Sequence, residues 1–146
     1  MKGMTIIVKK ICQLIAPVIF VFGLYVVTHG HLTPGGGFAG GVIMASAFIL
    51  QILSNGVLLD KLRHEESGLE FLESAAILGF LIIAALGLVL SGTLVFFGEF
   101  LHTGTVGKLI SAGFIPIENI VVGTEVCAAI ATLFIALVVF KDEVDK

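Results

Sequence analysis

Four long apolar runs, separated by short polar segments, make up most of the chain. They extend over residues 11–28, 38–59, 74–97 and 117–140. Because a helix needs about 20 apolar residues to cross the ~30 Å hydrocarbon core of a bilayer, each run predicts a transmembrane helix. Pro17 lies inside the first run, and membrane helices tolerate such a proline. The pattern therefore predicts an all-α integral membrane protein: a single membrane domain, 1–146, formed by a bundle of four transmembrane helices.

The composition excludes the soluble alternatives. The chain is 58% hydrophobic and 13% charged, against roughly 45–50% and about 25% in soluble domains. The few charged residues form no basic stripe, so we expect no binding to nucleic acid. Cys12 and Cys127 both lie in apolar runs and form no metal-binding or disulfide motif. These features predict a multi-pass protein of the cell membrane.

The distribution of basic residues orients the four predicted helices. Seven of the eight basic residues lie on one side of the predicted bundle. Lys2, Lys9 and Lys10 precede the first run, Lys61 and Arg63 separate the second from the third, and Lys141 and Lys146 follow the fourth. Only Lys108, between the third and fourth runs, lies on the other side. Short loops rich in Lys and Arg stay in the cytoplasm during insertion. Both termini are therefore predicted to be cytoplasmic, and the polar segment 60–66 to be a solvated cytoplasmic turn.

Glu125 is the strongest candidate for ion chemistry because it lies well inside the fourth run. A charged residue near the bilayer centre costs about 2.5–3.5 kcal/mol on insertion scales, so Glu125 should face protein or water. The small residues on its side of a helix predict the packed face: Ala128, Ala129, Thr132 and Ala136. Two interpretations stay open at this point. Glu125 either lies on an ion or proton path, or serves only to hold a partner helix.

Other polar residues are weaker candidates. Glu73, at the start of the third run, either carries protons or stabilises a helix N-terminus by its charge. Gln51 and Asn119 can hydrogen-bond between helices. His31 lies on the predicted outer side, where an imidazole that titrates near neutral pH could exchange protons. The histidine spacing offers no metal-ligand set, so neither a metal nor a cofactor is expected.

A glycine-rich segment connects the first two runs. Gly35, Gly36, Gly37, Phe38, Ala39 and Gly40 match a dinucleotide-binding pattern, but an apolar span replaces the strand that this pattern requires. The segment instead fits a tight turn after Pro34. Gly37, Gly41 and Ala45 then recur every fourth residue, a spacing typical of close helix packing in membranes. Exposed backbone groups lining a polar cavity are the functional alternative.

The residues Gly30-His31-Leu32-Thr33-Pro34-Gly35-Gly36-Gly37-Phe38-Ala39-Gly40-Gly41, placed between the first two of four spans, resemble the signature of the MnhB family. This family comprises the B subunits of Mrp-type multisubunit cation/proton antiporters. The same subunit type recurs in the antiporter-like module of membrane-bound hydrogenases and related respiratory complexes. The segment 116–123 also resembles the family's entry to its last span. Ala39 replaces the larger polar residue that the family usually has.

The resemblance implies an accessory membrane subunit that packs against other hydrophobic subunits in a complex exchanging Na⁺ for H⁺. It implies no catalytic chemistry for this chain, although the host complex could be an oxidoreductase. A purely structural bridging subunit that touches no ion is the alternative. A self-sufficient channel formed by several copies is disfavoured because intramembrane polar groups are scarce.

Overall fold

In the computed structural model, residues 4–54, 66–92, 95–109 and 111–144 are described, and four helices account for most of them. These are α1 (Ile6–Thr28), α2 (Gly36–Ser54), α3 (Glu66–Leu90) and α4 (Ile115–Val144). Within the described ranges the only β structure is an isolated bridge between Gly104 and Ser111. All four helices are long and apolar enough to cross a membrane. The predicted all-α membrane bundle is therefore confirmed.

The third helix differs most from its predicted span. It begins at Glu66 instead of residue 74, and it ends at Leu90 instead of residue 97. Gly92 follows with a φ of 68°, a left-handed conformation that ends helices and that glycine adopts without strain. Val95, Phe96 and Phe97 continue the apolar pattern beyond this break, so hydropathy alone extends the span too far. Glu70 and Glu73 lie four and seven residues after the start of the helix, beyond the first turn in which negative charge is most favourable.

The other helix ends agree more closely with the pattern. Helix α1 starts at Ile6, five residues before the predicted span, and so includes Lys9 and Lys10. Helix α4 starts at Ile115, two residues before its predicted span. The predicted end of the second span at residue 59 lies outside the described residues. So does the predicted cytoplasmic turn 60–66, apart from Glu66.

The helices pack in the order α1, α2, α4, α3. Helix α2 packs against both α1 and α4, while α3 packs against α4. Within the most apolar stretch of each helix, 39% of residues are buried in α2 and 11% in α3. Ile52 of α2 and Ile135 of α4 form a buried cluster, against which Leu69 of α3 packs. Helix α2 is thus the central element and α3 the peripheral one.

The long connection before α4 folds back against the bundle. The ring of Phe97 lies tilted against that of Phe80 of α3 with centroids 5.4 Å apart, and Phe100 stacks on Phe114 at 5.6 Å. The backbone N–H of Phe97 also donates to the carbonyl of Ala84, 3.4 Å away. These contacts hold Phe97 and Phe100 against the bundle, whereas the following residues 101–109 are exposed.

Candidate functional site

The α1–α2 turn is closed by its own backbone. The carbonyl of His29 accepts hydrogen bonds from the N–H groups of Leu32 and Thr33, at 2.8 and 2.9 Å. Gly35 and Gly36 then have φ angles of 137° and 72°, which side chains with a Cβ rarely adopt. These two glycines therefore allow the chain to reverse and enter α2 directly. Pro34, which precedes them, is exposed.

Two glycines of α2 lie in direct backbone contact with α4. A Cβ atom placed on Gly37 would lie 2.5 Å from the carbonyl oxygen of Asn119, and one on Gly41 would lie 2.7 Å from that of Gly123. Real Cβ atoms essentially never come that close. Any larger residue at either position would therefore push the two helices apart. Ala45, one turn further along α2, is completely buried.

The next glycine of the motif faces the opposite neighbour. A Cβ on Gly40 would lie 2.8 Å from the carbonyl oxygen of Gly23 in α1, and it would also overlap the side chain of Val27. A Cβ on Gly123 of α4 would approach the same Val27 side chain to 2.8 Å. Helices α1, α2 and α4 therefore meet at a set of glycines, here called the glycine junction: Gly23, Gly37, Gly40, Gly41 and Gly123.

Asn119 links the α1–α2 turn to the first turn of α4. Its side-chain oxygen Oδ1 accepts a hydrogen bond from the backbone N–H of Gly37 at 3.2 Å. This N–H belongs to the first turn of α2, where backbone donors have no partner within the helix. A Cβ on Gly30 would lie 2.9 Å from Asn119 Nδ2, so the turn packs directly on this amide. Asn119 thus caps a helix other than its own.

Phe38 differs from the glycines around it. Its side chain is 66% exposed and points away from the bundle. The resemblance groups Phe38 with the glycine motif, but within this chain the phenyl ring fills no core position. A large apolar side chain at this place in a membrane helix contacts lipid or another subunit.

Glu125 lies in the seam between α3 and α4. It lines a cavity of about 170 Å³ together with Val121 and Val122 of its own helix and with three residues of α3: Ala76, Ile77 and Phe80. The side chain is half-buried, and no ion pair joins it to any other described residue. Ten residues separate Glu125 from the start of α4, which corresponds to a depth of about 15 Å along the helix. Glu125 therefore lies well inside an apolar helix and lines a small cavity.

Glu73 shares that seam, on the other helix. It precedes the cavity-lining residues Ala76, Ile77 and Phe80 by three, four and seven positions, and this spacing keeps it on the same face of α3. Its side chain is half-buried. Helical spacing thus puts Glu73 on the face of α3 that lines the cavity beside Glu125, although Glu73 itself does not line that cavity.

His31 lies away from that seam, in the α1–α2 turn. Both of its ring nitrogens are buried, and neither has a hydrogen-bond partner among the described residues. The same holds for Asn119 Nδ2 and for Glu118 Oε1 at the start of α4. The sequence predicted that Asn119 can hydrogen-bond between helices but did not identify its partner, and it gave Glu118 no role. Their position at the entry to an apolar span, opposite a glycine turn, was the available signal.

The packed face of α4 differs from the predicted one. Ala128 is 2% exposed, as the small-residue pattern predicted, but Ala136 is exposed and the larger Ile135 is 1% exposed. The pattern followed the side of Glu125, which faces α3, whereas α2 packs on a neighbouring side of α4. Gly123 and Ile135, not the alanine stripe, mark that contact.

The described residues contain no group of three His, Cys, Asp or Glu side chains that could hold a metal ion. The polar groups described above are carboxylates, an imidazole and amides. Such groups bind, exchange or relay protons and monovalent cations.

Comparison with known proteins places this arrangement in context. Residues 7–132 match a domain described as related to the MnhB subunit of Na⁺/H⁺ antiporter. An uncharacterised protein of Methanocaldococcus jannaschii, MJ1307, is 33% identical over 97% of this chain and 55% of its own length. A putative antiporter subunit, mnhB2 of Staphylococcus epidermidis, is 43% identical over 54 residues, which are 37% of this chain and 38% of that protein.

A solved structure shares the fold. A chain of the membrane-bound sulfane sulfur reductase, an archaeal respiratory membrane complex, superimposes with a TM-score of 0.72 and 29% sequence identity over 91% of this chain and 57% of that one. The chain thus spans less than two thirds of the length of these relatives. Together with the four apolar helices, the matches establish a multi-pass protein of a prokaryotic plasma membrane.

Proposed function

Because the chain belongs to the MnhB family, we propose that it is an accessory subunit of a multisubunit cation/proton antiporter module and helps to form its ion pathway. The chain performs no catalytic chemistry in this proposal. Its partners are other hydrophobic subunits, and the module exchanges Na⁺ for H⁺. The module is either a separate antiporter or part of a larger respiratory complex of the hydrogenase type. The structural relative, a respiratory membrane complex, is compatible with the second setting.

The observation that carries the proposed ion role is the seam between α3 and α4. Glu125 lies nearly three turns into α4, and it lines a cavity of about 170 Å³. Placing an ionisable residue at this depth costs insertion energy, and such residues generally mark ion and proton pathways. Glu73 on the facing helix supplies a second exchangeable group on the same seam. The seam therefore offers two proton-binding groups along the direction of transport.

A purely structural bridge is the second candidate function, and the glycine junction favours it. The junction fixes three helices by backbone contact, and no ionisable side chain takes part in it. Phe38 and the large exposed apolar faces of α1 and α3 are available to neighbouring subunits. In this alternative, Glu125 is retained only because it pairs with a group of a partner subunit.

The variant Glu125→Gln separates the two functions. Glutamine keeps the size and hydrogen bonding of the side chain but cannot ionise, so assembly should survive. We expect Na⁺-dependent proton movement in vesicles that carry the assembled complex to fall by about tenfold or more per complex, as when a proton-transfer group is lost. An unchanged rate across the pH range would assign Glu125 to structure. Loss of the complex would favour the bridge, because the partner group would be left unpaired.

The variant Glu70→Gln is the matched control. Glu70 lies on α3 three residues before Glu73 but is exposed, and it lines no part of the cavity beside Glu125. Its neutralisation removes the same charge from the chain without changing that cavity. Transport per complex should therefore stay at the wild-type level.

Purification of the tagged chain in mild detergent should recover several other hydrophobic subunits, whereas recovery of this chain alone would contradict the accessory role.

The orientation in the membrane is also part of the proposal. The distribution of basic residues favours an orientation with both termini in the cytoplasm and the α1–α2 turn on the outer side. A cysteine in place of Arg63 should react with an impermeant thiol reagent only from the cytoplasmic face. Labelling from the outer face of sealed cells would reverse the orientation and leave the helix packing unchanged.

A further inference from the structure

Polar atoms are buried without partners at the end of the bundle that holds the α1–α2 turn. They belong to three side chains, here called the turn-end polar group: His31, Glu118 and Asn119. Both ring nitrogens of His31, Oε1 of Glu118 and Nδ2 of Asn119 find no hydrogen-bond partner among the described residues. Buried polar atoms are nearly always hydrogen-bonded, and leaving one unpaired is destabilising.

The members of this group are contiguous in the fold. Glu118 and Asn119 are successive residues in the first turn of α4. Asn119 contacts the turn at Gly30, the residue next to His31, where a Cβ would lie 2.9 Å from Asn119 Nδ2. Asn119 Oδ1 is already occupied by the N–H of Gly37. The amide is therefore held in place, and its remaining donor is directed away from α2.

The unpaired atoms form a complementary set. Asn119 Nδ2 donates a hydrogen bond, and a Glu118 carboxylate oxygen accepts one. In a neutral imidazole one ring nitrogen donates and the other accepts. Water satisfies all of these, because it both donates and accepts, and buried waters typically make about three such bonds. An apolar partner helix would leave every one of these atoms unpaired.

Glu118 also connects the turn-end polar group with the seam between α3 and α4. It precedes Glu125 by seven residues, so the two carboxylates lie on the same face of α4, about 10 Å apart along the helix. Val121 and Val122 lie between them and line the cavity beside Glu125. A proton that leaves the turn end therefore meets Glu118 first and Glu125 two turns further into the membrane.

We propose that the turn-end polar group binds ordered water and forms the hydrated entrance through which protons reach Glu125. The entrance rests on the proposed transport function, but its hydration is a property of the fold that can be measured without transport. Glu118 is the first proton-accepting residue of the path, Asn119 positions the water against the α1–α2 turn, and His31 forms the opposite wall.

Thiol labelling of the assembled complex in membrane vesicles tests the hydration. A cysteine at Glu118 should react with a small hydrophilic methanethiosulfonate at least about tenfold faster than one at Ile120, because thiolates and charged reagents are excluded from hydrocarbon. Ile120 is the matched control, since it lies two residues away on α4 and is 48% exposed on an apolar surface. Equal or slower labelling at Glu118 would overturn the proposal. His31→Cys provides the same comparison if the first variant does not assemble.

Hydroxyl-radical footprinting of the unmodified complex gives an answer that needs no variant. His102 is fully exposed and serves as the internal reference, whereas the ring nitrogens of His31 are buried. Bound water beside His31 should bring its modification rate to within about tenfold of that of His102, since buried waters are ordered at such polar sites. A protected His31 beside a modified His102 would show a dry turn end.

Failure of the entrance and failure of the transport function give different results. A dry turn end, combined with lost transport in Glu125→Gln, would reject the entrance and keep the ion-path function. A hydrated turn end, combined with unchanged transport in Glu125→Gln, would keep the water site and reject the path. Glu118→Gln should slow Na⁺-dependent proton movement without lowering the amount of complex, and an unchanged rate would remove Glu118 from the path.

Discussion

The two helix contacts of α4 are built in opposite ways. Against α2, a Cβ on Gly41 would lie 2.7 Å from a backbone oxygen, whereas against α3 a Cβ on Gly79 would meet only a methyl group of Val121 at 3.8 Å. At the glycine junction the first contact leaves no room for a side chain and contains no ionisable group. A larger, apolar cavity of about 390 Å³, lined by residues of all four helices, lies beside it. The second contact contains a cavity of about 170 Å³ and the carboxylate of Glu125. Close packing fixes the position of α4, and the looser seam has room for a polar function.

This difference shows why glycines in a membrane helix cannot be treated alike. Within a bilayer, helices gain little from burying apolar surface against one another, so close backbone approach supplies much of the association. Gly37, Gly41 and Gly123 provide that approach. Gly79 lies in an ordinary van der Waals contact, where an added methyl group fits. The same residue type is therefore essential on one side of α4 and replaceable on the other.

Gly41→Leu should have the largest effect, because an isobutyl group cannot fit against the backbone of α4 and forces α2 and α4 apart. We expect a marked loss of intact complex after extraction in mild detergent, measured by native gel electrophoresis against membrane protein content. Wild-type levels of complex together with wild-type transport would mean that Gly41 faces lipid or tolerates a rearranged contact.

Asn119→Ala should have an intermediate effect. It removes the acceptor for the Gly37 N–H and should cost about 1–2 kcal/mol, as for other lost helix caps. The unfolding temperature of the detergent-purified complex should fall, measured by the reaction of a thiol-sensitive dye with the buried Cys12. Gln51→Ala is the control, because the amide of Gln51 has no hydrogen bond to another described residue. Equal shifts for both variants would contradict the capping role.

Gly79→Ala should have the smallest effect, and its sign is informative. Alanine is favoured over glycine inside a helix by up to about 1 kcal/mol. The added methyl group would make an ordinary van der Waals contact with Val121 across the seam between α3 and α4. The amount and unfolding temperature of the complex should be unchanged or slightly raised. A loss comparable to that of Gly41→Leu would show that the seam between α3 and α4 is as tightly packed as the glycine junction, so that the two contacts of α4 would not differ.

The sequence predicted the four helices and the close contact of the glycine motif more readily than the details of the site. Hydropathy located each span, but it carried the third span through Phe97 because it does not register the left-handed turn at Gly92. It also could not tell which side of α4 meets which neighbour. The alanine stripe beside Glu125 suggested the wrong packed residue at Ala136, since small size and burial coincide only where two backbones approach.

The site itself was only partly predictable for a related reason. The depth of Glu125 follows from its place in an apolar run, whereas its neighbours on α3 depend on a tertiary contact. Asn119 caps a helix that lies 82 residues away in the sequence, and no local pattern signals such a bond. The same is true of the buried, unpaired atoms of His31 and Glu118, which become visible only when the turn and α4 are brought together.

The most direct test of the account measures complex abundance and transport in the same vesicles for two variants. Gly41→Ala should lower the amount of complex but leave Na⁺-dependent proton movement per complex near the wild-type value, because it disturbs packing only. Glu125→Gln should leave the amount unchanged and lower transport per complex, because it removes an ionisable group from the seam. Unchanged transport per complex in Glu125→Gln would contradict the central claim that the α3–α4 seam carries ions while the glycine junction holds the structure.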